Sequence, residues 1–349
     1  MLAQLGWTPA LEEQFAPHAG DGLEPARVAV EHRGAYAVYT ARGERSAELS
    51  GRLRHAAEER GDLPAVGDWV AVTSTDPALV QAVLPRRTKF SRMAANDHGQ
   101  TIEQVVAANV DTVFLTAGLD GDLNIRRLER YLTLGWESGA SPVVVLTKAD
   151  LCPDVEAEVL EVESVAVGVP VHAVSNVTGD GAEALRPYFA EGRTVAALGS
   201  SGVGKSSLVN RLAGEELMAV GELRADGKGR HTTTNRQLLL LPGGGLYLDT
   251  PGMREIRLWE SDEGLDSAFE DVAAAAAKCR FADCAHQAEP DCGVRAALAD
   301  GTLQRERYES WRKLENELRW LAVRQDGRLR SEARKERRRF ARSQRKASW

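Results

Sequence analysis

One eight-residue motif constrains the fold of this chain more than any other stretch of its sequence. Residues 199–206, GSSGVGKS, match the phosphate-loop pattern G-x-x-x-x-G-K-[ST]. An apolar run, TVAAL, precedes the motif, and Leu208, Val209 and Leu212 follow it at helical spacing. A glycine-rich loop between a buried strand and a helix turns backbone N–H groups and the positive end of the helix dipole toward a phosphate. The motif therefore predicts a nucleotide-binding α/β domain.

Residues of this loop and of a later strand have predicted roles in phosphate and Mg²⁺ binding. Lys205 is expected to reach the β- and γ-phosphates and to stabilise the transferred charge, and Ser206 to ligate Mg²⁺. Asp249 follows an apolar run and opens the sequence D-T-P-G. It is the second expected Mg²⁺ ligand, and Gly252 is expected to offer its N–H to the γ-phosphate. The residues predicted to line the phosphate loop are Gly199, Ser200, Ser201, Gly202, Val203, Gly204, Lys205, Ser206 and Ser207.

A polar segment between these motifs, GRHTTT at residues 229–234, is predicted to sense the γ-phosphate. A threonine there ligates Mg²⁺ only while that phosphate is present. Thr233 is the first choice for this ligand and Thr234 the second. Ras-like enzymes orient the attacking water with a glutamine after D-x-x-G, but Met253 occupies that position here. His231 is the nearest polar candidate for the task; a solvent-exposed histidine without a catalytic role is the alternative.

Two further motifs point to guanine as the base. Thr147-Lys148-Ala149-Asp150 is similar to N-K-x-D, in which the carboxylate accepts two hydrogen bonds that guanine offers and adenine does not. Thr147 replaces the usual asparagine, and its hydroxyl can still tie this loop to the phosphate loop. Ser175-Asn176 lies in a stretch similar to S-A-x-x-x-x-G, whose backbone N–H meets guanine O6, with Asn176 in place of the usual alanine. GTP and GDP are therefore the predicted ligands.

A cluster of cysteine and histidine residues predicts a metal site. Its members are Cys279, Cys284, His286 and Cys292. Three thiolates and one imidazole complete a tetrahedral Zn²⁺ shell with no open position, which indicates a structural site. The alternative is a group of unrelated reduced cysteines. Cys152, more than a hundred residues away, is not included.

The spacing of strand and helix patterns predicts a multidomain α/β protein. Alternating stretches at 26–41, 47–54, 67–73 and 79–84 suit an OB-type β-barrel, assigned to residues 1–100 and to RNA binding. Strand–helix alternation then predicts a parallel sheet with helices on both faces, the P-loop GTPase domain of residues 101–262. Residues 263–349 are predicted to form a helical zinc-binding domain with a basic tail. Within it, Tyr308, Trp311, Leu314, Leu318 and Leu321 recur on one helix face.

The order of the motifs is reversed relative to ordinary Ras-like enzymes, in which the phosphate loop comes first. Here the base motifs, at 147–150 and 175–181, precede the phosphate loop and D-T-P-G. With G-x-x-G-V-G-K-S-S, G-R-H-T-T-T and the cysteine cluster, the chain resembles the YjeQ/YloQ (RsgA) family of circularly permuted ribosome-biogenesis GTPases over nearly its whole length. The resemblance implies a GTPase that binds the small (30S) ribosomal subunit and its 16S rRNA late in maturation, is stimulated by it and leaves after hydrolysis. It also implicates His231.

Charge is distributed unevenly along the chain. Residues 324–349 contain eleven arginine or lysine residues and three acidic ones, a net charge of +8, whereas residues 1–323 carry −15. A basic tail attracts phosphate backbones, with a solvated tail that binds nothing as the alternative. The segment PRRTKFSR at residues 85–92 carries four basic residues around Phe90. That pattern suits single-stranded or irregular RNA, although an exposed linker explains it nearly as well.

The remaining features concern localisation and rival functions. The N-terminus lacks a basic region followed by an apolar stretch, and no apolar run is long enough to cross a bilayer, so a cytoplasmic protein is expected, away from membranes. A monomer is also expected. One alternative function is a non-catalytic RNA-binding protein with a vestigial nucleotide pocket, which the intact Lys205, Ser206 and Asp249 disfavour. Another is an ATPase or nucleotide kinase, which Asp150 disfavours.

Overall fold

The computed structural model describes residues 1–32, 35–57, 59–95, 101–218, 236–249 and 262–325. The chain forms two compact units, residues 1–257 and 258–349. The described strands and the phosphate loop belong to the first unit, and the cysteine cluster belongs to the second. The finer boundaries expected at residues 100 and 262 stay predictions.

Strands and helices are numbered here in chain order, within the described residues. The strands are β1 (Glu24–His32), β2 (Ala35–Thr40), β3 (Gly43–Leu49), β4 (Trp69–Val72), β5 (Ala78–Val83), β6 (Lys89–Ala95), β7 (Thr101–Ala108), β8 (Thr112–Gly118), β9 (Ser141–Thr147), β10 (Val171–Ala173), β11 (Thr194–Gly199), β12 (Gln237–Leu240) and β13 (Leu246–Asp249). The α-helices are α1 (Pro9–Ala19), α2 (Gly51–Ala56), α3 (Ile125–Glu137), α4 (Val155–Val165), α5 (Lys205–Ala213), α6 (Asp262–Ala268), α7 (Glu270–Ala276), α8 (Gly293–Asp300) and α9 (Arg305–Gln325).

Strands β1 to β5 close into a small barrel. β1 pairs with β2 and β4, β2 with β3, and β3 with β5, which returns to β4. All these neighbours are antiparallel except β3 and β5. Because side chains alternate across a strand, one set points into the barrel, and Val28, Val38, Val70 and Val80 are fully buried there. The closed ring of five strands confirms the predicted OB-type barrel.

One predicted strand of the barrel extends too far. The sequence pattern suggested a strand over 47–54, but β3 ends at Leu49 and α2 begins at Gly51. Ser50 separates them, because its Oγ accepts a hydrogen bond from the N–H of Leu53 (3.1 Å) and caps the helix. The prediction of a strand through residue 54 is therefore wrong.

A mostly parallel sheet carries the phosphate loop. Its order is β10-β9-β8-β11-β13-β12, with β12 antiparallel to β13 and the others parallel. Successive residues of β8 face opposite sides of this sheet. Phe114 shares a buried cluster with Leu208 of α5, whereas Val113 and Leu115 approach Gly135 of α3. The predicted parallel sheet with helices on both faces is confirmed.

The barrel and the parallel sheet are continuous through β1. β1 pairs antiparallel with β12 at Val30 and Gln237, so the two parts form one sheet of eleven strands. The hydroxyl of Tyr39 donates to the carbonyl oxygen of Leu238 at 3.3 Å across the same junction. The sequence analysis did not identify β12, a strand of only four residues.

Arg27 of β1 lies at the centre of this junction and is 2 % exposed. Its guanidinium donates to the carbonyl oxygens of Gly67 (3.2 Å) and Asn109 (3.0 Å) and to Thr194 Oγ1 (2.8 Å). It also donates to the carbonyl oxygen of Leu5. Burial lowers the pKa of Arg27 from 12.5 to about 10. The buried cation thus joins the N-terminal segment, the barrel and the sheet.

Strands β6 and β7 form a separate antiparallel ribbon that the sequence analysis missed. The basic segment at residues 85–92 enters this ribbon. Phe90 is only 2 % exposed, and Arg86 contacts both carboxylate oxygens of the fully buried Asp68 at 2.8 and 2.7 Å. The alternative of an exposed linker is therefore wrong for Phe90 and Arg86, which pack within the protein's own structure, and RNA contact stays a prediction for the exposed Arg87 and Lys89.

The second unit is helical in its described part. Tyr308, Leu314 and Leu318 of α9 are buried, as the helical periodicity predicted. The neighbouring Arg307 donates to Asp271 of α7 at 2.9 and 3.1 Å. Among the described residues, no helix is both long and apolar enough to span a membrane.

Candidate functional site

The predicted nucleotide-binding residues gather at the edge where the parallel strands end. Register pairs Gly199 of β11 with Thr116 of β8, and Gly118 of β8 with Thr147 of β9. Asp249 is the last residue of β13, the other neighbour of β11. Parallel strands end at the same edge of a sheet, where α/β proteins bind their ligands. The phosphate loop, the base motif and Asp249 therefore share one edge, although the chain visits them in permuted order.

The phosphate loop connects β11 to α5 through conformations that require glycine. Gly204 has φ of +101° and stands at the N-cap of α5. A Cβ on Gly199 would lie 2.5 Å from the carbonyl oxygen of Thr116. Such close backbone approach excludes any larger residue. Ser206 and Ser207 occupy the first turn of α5.

Lys205 lies across this loop. Its Nζ donates to the carbonyl oxygens of Gly199 (2.9 Å) and Ser200 (2.7 Å). Lys205 is partly buried. Water therefore screens its positive charge less than at a fully exposed site, and that charge lies over the loop where phosphate is predicted to bind.

Thr147 connects the base motif to the phosphate loop. Its side chain is fully buried, and its Oγ1 lies 2.5 Å from the carbonyl oxygen of Val203 and 3.2 Å from that of Ala117. The hydroxyl has one hydrogen to donate, and the shorter distance assigns that hydrogen to the carbonyl oxygen of Val203. The structure thus shows the contact with the phosphate loop that the sequence analysis expected of Thr147.

Lys148 and Asp150 follow in a tight turn. Lys148 adopts a left-handed conformation with φ of +59°, and its Nζ lies 2.5 Å from Oδ2 of Asp120. Burial acts to raise the pKa of Asp120, but the hydrogen bond and charge of Lys148 outweigh it, and the pKa is lowered. Sequence reasoning missed Asp120, whose position just after β8 was the available signal.

Asp150 is exposed at this edge and held by the second base motif. Its Oδ1 accepts a hydrogen bond from Ser175 Oγ at 2.5 Å. Ser175 in turn accepts from the N–H groups of Val177 (3.2 Å) and Thr178 (3.1 Å). This network fixes the orientation of the carboxylate through Oδ1, as recognition of two donors on one base requires.

Asn176 contacts the phosphate loop from the second base motif. Its Nδ2 donates to the carbonyl oxygen of Gly204 at 3.0 Å. Its own backbone oxygen accepts from Nε of Arg211 in α5 at 2.9 Å. Neither contact was expected, since the sequence analysis assigned only the backbone N–H of Asn176 a role.

Several predicted site residues lie outside the described part of the chain. They are His231, Thr233, Thr234 and Gly252, together with Met253 and the tail from residue 326.

In the second unit, the four predicted metal ligands come together. Their ligand atoms all lie within 4.8 Å of one another. Sγ of Cys279 and of Cys292 are 3.9 Å apart, and each is 3.5 Å from Nδ1 of His286. A tetrahedral Zn²⁺ with bonds of about 2.3 Å to sulfur and about 2.0 Å to nitrogen would separate these atoms by about 3.8 and 3.5 Å. With Cys284 as the fourth member, the donor set and its spacing fit zinc.

The backbone around the cluster is arranged for thiolates. N–H groups of Gly293 and Arg295 donate to Sγ of Cys279 (3.3 Å) and of Cys292 (3.4 Å). The loop that carries His286 is held by Glu289, which accepts from the N–H groups at residues 285, 287 and 288 at 2.9–3.0 Å. Backbone hydrogen bonds, from its own N–H first and then from those of residues 287, 285 and 288, lower the pKa of Glu289 to about 2. Such supporting contacts orient ligands and stabilise anionic sulfur.

Comparison with known proteins gives consistent results. Residues 83–259 match the model of the RsgA GTPase family. A relative from Opitutus terrae named small ribosomal subunit biogenesis GTPase RsgA is 50 % identical over 338 residues, which cover 93 % of this chain and 92 % of the relative. A relative of the same name from Streptomyces avermitilis is 44 % identical over 340 residues, 96 % of this chain and 90 % of the relative.

Two solved structures are similar in fold. YjeQ from Thermotoga maritima matches with a TM-score of 0.64 and 28 % identity over 85 % of this chain and 98 % of its own. YloQ, described as a circularly permuted GTPase, matches with a TM-score of 0.60 and 22 % identity over 85 % of this chain and 95 % of its own. The second of these supports the fold alone.

Proposed function

Because the chain belongs to the RsgA family of GTPases, we propose that it hydrolyses GTP during late maturation of the small (30S) ribosomal subunit. One observation carries the nucleotide part of this proposal. The base motifs around Asp150 and the phosphate loop around Lys205 lie at the same sheet edge, and Thr147 and Asn176 join them by hydrogen bonds. One guanine nucleotide spanning both loops accounts for this arrangement. A non-catalytic protein with a vestigial pocket is not favoured.

The proposed reaction is attack of water on the γ-phosphate. Backbone N–H groups of residues 199–207 and the ammonium of Lys205 would stabilise the charge on the transferred group. Ser206, Asp249 and Thr233 are the proposed Mg²⁺ ligands, and the Gly252 N–H a γ-phosphate contact. A bound Mg²⁺ would neutralise charge that develops on the phosphate oxygens. The Asp150 carboxylate would select guanine, assisted by Lys148 and by the backbone at residues 175–176.

His231 is proposed to orient the attacking water, because the position after D-x-x-G is occupied by Met253. An apolar side chain there predicts slow intrinsic turnover. His231→Ala should then preserve GTP binding and lose the stimulation of hydrolysis by small subunits. Stimulated turnover equal to that of the unaltered protein would remove this role.

The Cys279, Cys284, His286 and Cys292 cluster is proposed to hold one structural Zn²⁺. A small helical unit has little apolar core of its own, so metal binding would contribute directly to its folding. The second unit also ends in the tail of net charge +8, which is proposed to contact the phosphates of 16S rRNA. We further propose that the protein acts in the cytoplasm as a monomer and leaves the subunit after hydrolysis.

A turnover assay tests the proposed function. Release of phosphate from GTP is measured with the full chain alone and with purified small ribosomal subunits, and ATP is run in parallel. We expect slow basal hydrolysis, at least about tenfold stimulation by the subunits and no hydrolysis of ATP. Lys205→Ala is the control for contaminating GTPases. Hydrolysis that small subunits leave unchanged would contradict the ribosomal part of the proposal.

A further inference from the structure

Two residues at the proposed guanine site differ from the usual motifs, and both contact the phosphate loop with their side chains. Thr147 stands where N-K-x-D has asparagine, and Asn176 stands where S-A has alanine. Thr147 Oγ1 is 2.5 Å from the Val203 carbonyl oxygen, and Asn176 Nδ2 is 3.0 Å from the Gly204 carbonyl oxygen. Adjacent carbonyl groups of the phosphate loop are therefore held from two different base loops.

The two side chains meet at one small space beside Gly204. A methyl group on Gly204 would lie 2.9 Å from Asn176 Nδ2 and 3.8 Å from both Cβ and Oγ1 of Thr147. This space accommodates one carboxamide next to a threonine. An asparagine at 147 would extend one atom further than the threonine hydroxyl and compete for the same position.

The backbone that carries the Asn176 side chain is fixed by an arginine of α5. Arg211 of α5 holds the backbone oxygens of Asn176 (2.9 Å) and Val177 (3.1 Å). Asn176 Oδ1 is buried and has no hydrogen-bond partner within the protein among the described residues. The unpaired buried oxygen costs free energy, and the hydrogen bond from Nδ2 to Gly204 offsets part of that cost.

From this geometry we infer that Asn176 is a positioning residue that acts together with Thr147: Thr147 holds the Val203 carbonyl oxygen and Asn176 holds the Gly204 carbonyl oxygen. The carboxamide at the guanine site of this chain therefore comes from the second base motif, beside the shorter Thr147 side chain of the first. The Asn176 hydrogen bond then couples the position of the guanine-contacting loop to Gly204, the N-cap residue of α5. This inference rests on the proposed guanine site and adds a role that the side chain at 176 does not have when it is alanine.

A double-mutant cycle tests whether the side chains at 147 and 176 depend on each other. The dissociation rate of fluorescent GDP is measured by stopped flow on the full chain for Asn176→Ala, Thr147→Asn and the double variant. Asn176→Ala loses one hydrogen bond, so the rate should rise about three- to tenfold. Thr147→Asn alone should accelerate release at least as much, because two carboxamides then compete for one space. The double variant should return to within about twofold of the unaltered protein.

Recovery of the GDP dissociation rate in the double variant distinguishes a positioning role from general damage to the fold. If each substitution only damaged the fold, the two increases in rate would combine in the double variant. Val167→Ala, at a residue that is 59 % exposed and outside the nucleotide-binding loops, is the control and should leave the rate unchanged. Equal rates for Asn176→Ala and the unaltered protein, or additive effects in the double variant, would overturn the inference. An unaltered protein that binds no GDP at all would instead overturn the proposed function.

Discussion

Arg27→Met tests how much the buried guanidinium at the junction of barrel and sheet contributes to the stability of the first unit. Removing the guanidinium leaves the carbonyl oxygens of Leu5 and Asn109 without the hydrogen-bond donor that they face at the junction. The Gly67 carbonyl oxygen keeps a second donor, Asn109 Nδ2 at 3.2 Å. Two buried acceptors without a donor lower the free energy of unfolding by about 2–6 kcal/mol together. Loss of the contact between the guanidinium and the Trp69 ring, at 5.6 Å, adds about 1 kcal/mol.

Relief of the buried charge opposes these losses. Burial lowers the pKa of Arg27 from 12.5 to about 10. At about 1.4 kcal/mol per pKa unit, the folded protein spends about 3–4 kcal/mol to keep this cation charged, and methionine removes that cost. The losses exceed this relief over most of their range, so the expected net effect is destabilisation by about 2 kcal/mol.

Urea unfolding of the full chain, followed by far-ultraviolet circular dichroism, measures this difference. Thr194→Val is the matched control, because it removes one of the guanidinium's acceptors and leaves the charge and the carbonyl contacts in place. It should cost less than about 1 kcal/mol. If Arg27→Met were as stable as the unaltered protein, or more stable, hydrogen bonding would not outweigh charge burial at this junction.

Three other substitutions give sharp expectations. Asp150→Asn should weaken GDP binding at least about 100-fold and favour xanthosine diphosphate, which has a carbonyl in place of the amino group; competition against fluorescent GDP measures both, and an unchanged preference would contradict the base assignment. Gly67→Ala should destabilise the first unit by more than about 3 kcal/mol, because φ is +93° and the added Cβ would lie 2.1 Å from the Ala108 carbonyl oxygen; normal urea unfolding would exclude this clash. Glu289→Gln should accelerate zinc loss to a colorimetric chelator several-fold without changing the zinc content, since the three N–H groups use both carboxylate oxygens and the NH2 of glutamine cannot accept a hydrogen bond; an unchanged rate would remove the supporting role of Glu289.

Local sequence was sufficient for the parts of the site that depend on short motifs. The phosphate loop lies between β11 and α5 because its glycines, its preceding apolar run and its following helix are contiguous in sequence. The metal ligands Cys279, Cys284, His286 and Cys292 span few residues, so one loop brings them together. The closed barrel also followed from alternating short strands.

Contacts between distant residues were not predictable from these patterns. Arg27 satisfies carbonyl groups up to 82 residues away, and no periodicity marks it as buried. β12 is four residues long, and its place beside β1 depends on the closed barrel. The segment that contains Arg86 and Phe90 has the composition of an RNA-binding stripe. The buried Asp68 and the β6–β7 ribbon nevertheless determine where these two side chains lie. Tertiary pairing outweighs composition in each case.

The central claim is that one guanine nucleotide contacts both the base motifs and the phosphate loop. Amide hydrogen exchange of the full chain, with GDP and with ADP at equal concentration, tests it most directly. Slower exchange at residues 147–150, 175–178 and 199–207 with GDP, and none of this protection with ADP, is the expected result. Protection by GDP at the phosphate loop alone, or equal protection by ADP, would show that the two loops do not bind the same molecule.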